Sequence, residues 1–243
     1  LNQWTSLHPA SERAWLRKAD YYDKMRNNTQ ALQAAQQGLL HLPNSVKLML
    51  VEANSYALLG KMDQAQSSLN RLPEDVRGIP FAQRVQGHVY YSQRNYKQAL
   101  PLLLEGYKSV QELRNVGLIY TTYKALNQIK EGKAFLKQHV TNVPSDVNAR
   151  LMLANETIIS EPDVAKQQYL AIVERTPNNL VALNNLAYLH LQSNELQQAD
   201  RVAQQAVTQA PDNAQILDTA GSIKIALGDK QGALDLLEKA RKL

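Results

Sequence analysis

The chain of 243 residues contains no cysteine. That excludes a disulfide framework, a thiolate metal site and a cysteine nucleophile, though it does not fix the compartment. Aromatic residues are scarce: two Trp and two Phe stand beside eleven Tyr. No apolar run approaches the roughly 20 residues that a membrane-spanning helix needs. The sequence starts at Leu1 and shows no signal peptide. Charge of one sign is also lacking. The formal net charge is +5, and Lys and Arg are dispersed without a run of five, so the signature of a nucleic-acid tail is missing. A basic face facing an anionic partner stays open.

What the sequence has is Leu, Ala, Gln, Lys and Glu throughout, a composition that favours helix over sheet. It also has a period. Small residues recur at Ala31, Ala65, Ala99, Gly132, Ala165, Ala199 and Ala233, with successive gaps of 34, 34, 33, 33, 34 and 34. A second small series precedes them: Ala19, Ala53, Gly87, Thr121, Ala154, Ala187 and Gly221. A proline series follows: Pro9, Pro43, Pro144, Pro177 and Pro211. A fixed period of this length marks a repeat array, in which each unit packs on its neighbours and no single large core is required. Apolar spacing such as Leu183, Leu186, Ala187 and Leu191 is helical. Each unit therefore reads as two helices of roughly 12 to 15 residues, and small residues sit where their axes approach closely. Gly60, Asn194 and Gly228 are expected in the turn within a unit, as left-handed residues that end the first helix. Asn44, Asn178 and Asp212, each following a proline, are expected to cap the next helix.

These residues resemble the tetratricopeptide repeat. Residues 12–45 show Trp15, Ala19, Tyr22, Ala31, Ala35, Gly38 and Pro43; residues 180–213 show Leu183, Leu186-Ala187, Ala199, Ala203, Ala206 and Pro211; residues from 214 show Leu217, Ala220-Gly221, Gly228, Ala233, Leu237 and Ala240. The resemblance implies an all-α, right-handed superhelical solenoid of about seven helix-turn-helix repeats. Their expected bounds are 12–45, 46–79, 80–113, 114–146, 147–179, 180–213 and 214–243. Residues 1–11 are expected to be the tail helix of a preceding repeat, with Trp4 facing inward. The last helix shows an apolar stripe of Leu234, Leu237, Ala240 and Leu243. The expectation is that the array continues at both ends, or that uncapped ends pair between molecules. Three departures stand out. The Pro73–Pro80 stretch reads as an irregular connection. The fourth unit carries Gly132 in place of Ala and has an open register. Pro162, and Pro101 by the same logic, read as helix-opening prolines.

The last two units, with Leu183-Asn184-Asn185-Leu186-Ala187 and Leu217-Asp218-Thr219-Ala220-Gly221, are further similar to the C-terminal repeats of exported lipoproteins associated with exosortase (PEP-CTERM) sorting and exopolysaccharide loci in Gram-negative bacteria. That resemblance implies a periplasmic or envelope location; without it a cytoplasmic one is expected.

The sequence carries no sign of an enzyme, a metal or a cofactor. The five His lie in different units without the i, i+4 pairing of a helical metal site. His190 reads as a packed core residue. Gly60-Lys61 and Gly132-Lys133 lack the rest of a phosphate loop, and no Gly-x-Ser-x-Gly string occurs. Of the paired tyrosines, Tyr22 and Tyr90 belong to the core, leaving Tyr21 and Tyr91 free to face elsewhere.

The resemblance implies a function, which is to hold a protein or peptide in a groove lined by the first helices. Carried over by position, the groove residues are Asp20 and Lys24; Leu50 and Asn54; Arg84, His88 and Tyr91; Leu151, Asn155 and Ile158; and Asn184 and Tyr188. Asn54, Asn155 and Asn184 are the informative members, since an amide offers both donor and acceptor to a peptide backbone. The plainer reading, an Asn solvating an exposed helix, has even weight for any one of them. The Lys-x-x-x-Asn pair of chaperone-tail clamps is absent from the first helices. The competing functions are a nucleic-acid binder using a basic face, and a structural segment that self-assembles.

Overall fold

A computed structural model describes residues 2–109 and 113–243, and every described element is helical or a turn. The chain divides into two compact units, Leu1–Gly132 and Lys133–Leu243.

In the first unit α1 (Asn2–Leu7) precedes the pair α2 (Glu12–Lys24) and α3 (Asn28–His41). The pair α4 (Val46–Leu58) and α5 (Met62–Asn70) follows, then a single turn, α6 (Glu74–Arg77). Next come α7 (Pro80–Ser92) with α8 (Tyr96–Ser109), and α9 (Leu113–Ala125). Helix α10 (Ile129–Asn142) carries the division between the units. The second unit continues with α11 (Val147–Thr157) and α12 (Pro162–Arg175), α13 (Leu180–Gln192) and α14 (Leu196–Gln209), and α15 (Ala214–Ala226) and α16 (Lys230–Lys242).

The turn inside a pair is built one way almost throughout. The residue after the first helix takes a left-handed conformation at Arg26, Gly60, Arg94, Asn127, Asn194 and Gly228, with φ between 56° and 80°. The next N–H reaches back to a carbonyl of the first helix, as in Asn27 to Tyr22 at 2.8 Å and Glu195 to His190 at 2.9 Å. This is the Schellman closure, which satisfies a carbonyl the helix end would leave bare. Gly60, Asn194 and Gly228 are where the sequence places them; Arg26, Arg94 and Asn127 are additions. The α11–α12 turn dispenses with the left-handed residue: Glu161 has φ −146°, and its N–H bonds to Thr157 at 2.7 Å.

Between pairs, the caps fall one residue later than the sequence suggests. Ser45, Asn179 and Asn213, not Asn44, Asn178 and Asp212, accept from the N–H three residues on. The proline and the residue after it are both spent on the turn, so the following side chain is the first that can reach the helix N-terminus. Pro162 does open α12. Pro101 does not open its helix; it sits inside α8 on an exposed face, where a missing N–H is tolerated. The Pro73–Pro80 stretch is more ordered than expected. It holds α6, and Arg77 ties it down by donating to the carbonyls of Leu72 and Asn70 at 3.0 and 2.8 Å.

The core follows the small-residue series. Ala53 and Ala65 in the first unit, and Ala154, Ala165, Ala187 and Ala199 in the second, have no accessible surface. Larger side chains fill in around them, with Met49, Leu69 and Val89 in one cluster and Tyr169, Leu183, Leu186 and Ile223 in the other. In the fourth unit the series shifts by one: Thr121 is exposed, and Thr122 takes the buried place. Gly132 stands for Ala there because a Cβ would lie 3.0 Å from Tyr123 Cβ and 3.1 Å from the Tyr120 ring. Near the start, Trp15 is buried and its Nε1 donates to Pro9 O at 2.8 Å. Trp4 does not face inward; it is 37% exposed, whereas its neighbour Thr5 is buried. Among the described residues no helix is long and apolar enough to cross a membrane.

Candidate partner-binding faces

The expected groove residues separate into three environments. Asp20 and Lys24 are exposed, and they bond each other at 2.8 Å across one turn of α2. They line a shallow hollow of about 430 Å³ with Trp4, Arg13, Arg17 and Tyr21.

Arg84 and His88 lie one turn apart on α7, Asn54 and Leu58 one turn apart on α4, and Asn115 and Leu118 on α9. With Val85, these residues enclose a pocket of about 310 Å³. First helices of three successive pairs thus meet at one place inside the first unit. Arg84 is buried rather than exposed in a groove. Its guanidinium lies 4.7 Å from the centre of the Phe81 ring and donates to Asn54 Oδ1 at 3.1 Å. Gly106 on α8 makes room for it: a Cβ there would come within 2.5 Å of Arg84 Cβ. His88 is held below the ordinary histidine pKa, first by burial and then by the Arg84 charge, so the neutral ring is favoured. Asn115 is 5% exposed, and its Nδ2 meets no acceptor among the described residues.

The third environment is the face of α13. Val181 and Tyr188 are 52% and 44% exposed, and Asn184 lies between them one turn from each. Asn184 is buried, contrary to the expectation of an open groove donor. Its Oδ1 has no partner, and its Nδ2 makes only a long 3.4 Å contact with Asn185.

Several expected groove members serve the fold instead. Leu50 is buried in the first-unit core. Leu151 and Ile158 are half-buried against the second-unit core. Asn155 is exposed, yet its Oδ1 accepts from the buried Tyr169 hydroxyl at 2.6 Å, and Asn185 Nδ2 donates to the same hydroxyl at 2.9 Å. Tyr91 is half-buried with its ring edge-on to Tyr96. His190 is buried as expected and pairs with Glu195. His139 and Asp146 form a pair that the residue spacing did not announce. Both are essentially inaccessible, 2.9 Å apart, and Asp146 also caps α11. Asn115 was missed as well. It stands second in the expected repeat 114–146, the place that Val181 takes in 180–213, so aligning the two repeats would have pointed to it.

Several lysines pair with carboxylates of the fold: Lys137 with Glu161, Lys166 with Glu195 and Lys224 with Asp200. The two glutamates are held below the usual carboxylate range, chiefly by those lysine hydrogen bonds. Among the described residues no cluster of three or more His, Asp or Glu is placed to hold a metal ion.

Residues 160–214 match the tetratricopeptide repeat family. Among curated proteins no sequence matches this one. The fold is similar to that of solved MamA structures. One MamA protein has 14% identity over 68% of this chain and 91% of that one, with a TM-score of 0.58. AMB-1 MamA has 18% identity over 70% and 93%, also at 0.58. MamA from Desulfovibrio magneticus RS-1 has 15% identity over 68% and 95%, at 0.57. Residues 160–214 thus carry a tetratricopeptide repeat, and the paired helices and recurrent left-handed turns give the chain an all-α helix-turn-helix fold similar to that of the MamA structures.

Proposed function

We propose that the chain is a protein–protein interaction scaffold that holds a peptide or protein segment along the faces of its first helices. The observation that carries this reading is the α13 face. A buried carboxamide oxygen with no donor costs about 1–3 kcal/mol in a finished fold. At Asn184 it sits between two exposed apolar side chains. Apolar surface beside an unmet polar atom is what a partner's backbone N–H and side chains would cover. The similarity of the last two repeats to exported lipoproteins supports a partner in the bacterial envelope, in export or exopolysaccharide secretion. Against nucleic acid stand the dispersed Lys and Arg and the pairing of several lysines within the fold.

The test is affinity capture from envelope and soluble fractions with the parent protein and a Val181→Asp/Tyr188→Asp variant. Leu40→Asp, at an exposed position of α3, is the control. The reading expects a partner lost only with the α13 variant. Equal capture by all three proteins places binding elsewhere. Recovery of the chain alone favours self-assembly, and a steep loss of capture with salt favours nucleic acid.

A further inference from the structure

The first helices of the last two pairs carry an uneven balance of charge. Helix α13 has no Lys, Arg, Asp or Glu. Helix α15 has Asp218 and Lys224 alone. Lys224 is turned to Asp200 at 2.9 Å and to Asp229 at 3.8 Å. Asp218 is exposed and meets no cation among the described residues. It holds in α15 the place that Asn184 holds in α13, 34 residues earlier. The two helices pack on each other, and packed helix axes lie about 8–10 Å apart, so the two positions are neighbours across that boundary. Asn184 is 8% exposed, and its Oδ1 is an acceptor without a donor. A buried acceptor left unmet is costly, and native folds rarely keep one without reason. One turn further along α13 stands Tyr188, 44% exposed. The chain as a whole has a net charge of +5, yet this face offers a free carboxylate, a free carbonyl oxygen and an open aromatic ring.

We infer that the α13–α15 face receives an arginine of the partner, whose guanidinium donates to the Asp218 carboxylate and to Asn184 Oδ1 and lies against the Tyr188 ring. The inference rests on the scaffold reading and gives the bound segment a chemical feature, a basic side chain. A guanidinium bonded to a carboxylate makes charge-assisted hydrogen bonds. Its donors point outward from a plane in a fixed fork, so it can serve acceptors on two helices at once, and its face stacks on an aromatic ring. A lysine ammonium is a point charge and has no such face. Asn184 is only weakly held, by its 3.4 Å contact with Asn185. Rotation about its last side-chain bond, a soft torsion, turns Oδ1 toward the incoming N–H.

The test is an NMR titration of the full ¹⁵N-labelled chain, following the backbone signals of α13 and α15 and the side-chain amide of Asn184. The probes are the doubly capped tripeptide Leu-Arg-Leu and the same peptide with citrulline, lysine or glutamate at its centre. The arginine peptide should move the α13, α15 and Asn184 signals saturably. The citrulline peptide keeps the shape without the charge and should bind about tenfold more weakly or worse. The lysine peptide should be weaker by about threefold or more, and the glutamate peptide should give no response. Asp218→Asn, at an exposed position, should weaken the arginine peptide at least about tenfold. Glu238→Gln, exposed on α16, is the control and should leave the affinity unchanged. Tyr188→Leu keeps an apolar side chain without the ring and should cost about threefold. Equal binding of the citrulline peptide would leave Asn184 to a backbone N–H and overturn the inference. So would equal or tighter binding of the lysine or glutamate peptide, an unchanged affinity in Asp218→Asn, an Asn184 signal that stays still at saturation, or no response to any probe. Capture lost with the Val181→Asp/Tyr188→Asp variant but retained by Asp218→Asn would leave the scaffold reading standing and this inference fallen.

Discussion

Asn54 Oδ1 accepts a hydrogen bond from Arg84 at 3.1 Å, joining the first helices of two successive repeats across 30 residues of sequence. The bond takes one of the three amides that the resemblance would offer to a peptide and uses it to fix a cation. Asn54→Leu should leave a buried guanidinium N–H without that acceptor and cost about 1–3 kcal/mol. Urea denaturation of the parent and variant measures it. A midpoint shift within error would mean that Arg84 does not need Asn54.

The left-handed turns give a prediction of opposite signs. A non-glycine residue there costs roughly 1–2 kcal/mol relative to relaxed backbone, and glycine avoids most of it. Arg26 and Arg94 are exposed at φ 56° and 59°. Arg94→Gly should therefore raise the melting temperature by a few degrees, while Gly60→Ala should lower it. Calorimetry on both variants checks the pair; the same sign for both would refute the turn assignment.

His139 and Asp146 are the most buried polar pair described in the second unit. His139→Leu removes a partner of an inaccessible carboxyl group, and a loss of about 1–3 kcal/mol is expected. Asp146→Asn keeps an oxygen for the Ala149 N–H and should cost less than His139→Leu. The ranking of the two in chemical denaturation is the measurement; a reversed order would show that Asp146 does not depend chiefly on His139.

The depressed pKa of His88 sets a pH dependence. Burial and Arg84 disfavour the imidazolium in the folded chain. Below the unfolded value near 6.5, the unfolded chain binds the proton more readily. The contribution is therefore fully present above that value and is lost as pH falls through it toward the folded pKa. His88→Phe should flatten the stability profile between about pH 7 and pH 5.5. A slope unchanged by the substitution would assign the effect to other groups.

The helices were legible because their signals are local or periodic. Ala53, Ala65, Ala187 and Ala199 announce close packing by their spacing, and Gly60, Asn194 and Gly228 announce left-handed turns by their residue type. Arg26 and Arg94 occupy the same turn, but arginine has no left-handed signature, so only the period could locate them. The binding faces were harder to read. Whether Asn155 is available to a ligand depends on Tyr169 fourteen residues away, and the burial of Asn184 between exposed Val181 and Tyr188 is not readable from residue type. A side chain's partners come from packing between helices, which residue type and position within a repeat do not specify.

The Trp15–Pro9 hydrogen bond has a practical consequence for anyone who melts this protein. Both tryptophans, Trp4 and Trp15, lie in the first fifteen residues, and only Trp15 is buried. Intrinsic fluorescence will therefore report the loosening of α2 from its neighbours, while far-ultraviolet circular dichroism sums over all the helices. Arrays held by nearest-neighbour contacts need not melt as one body. A gap between the two transitions would thus be a direct reading of how far cooperativity extends along the chain, obtained without introducing a single label.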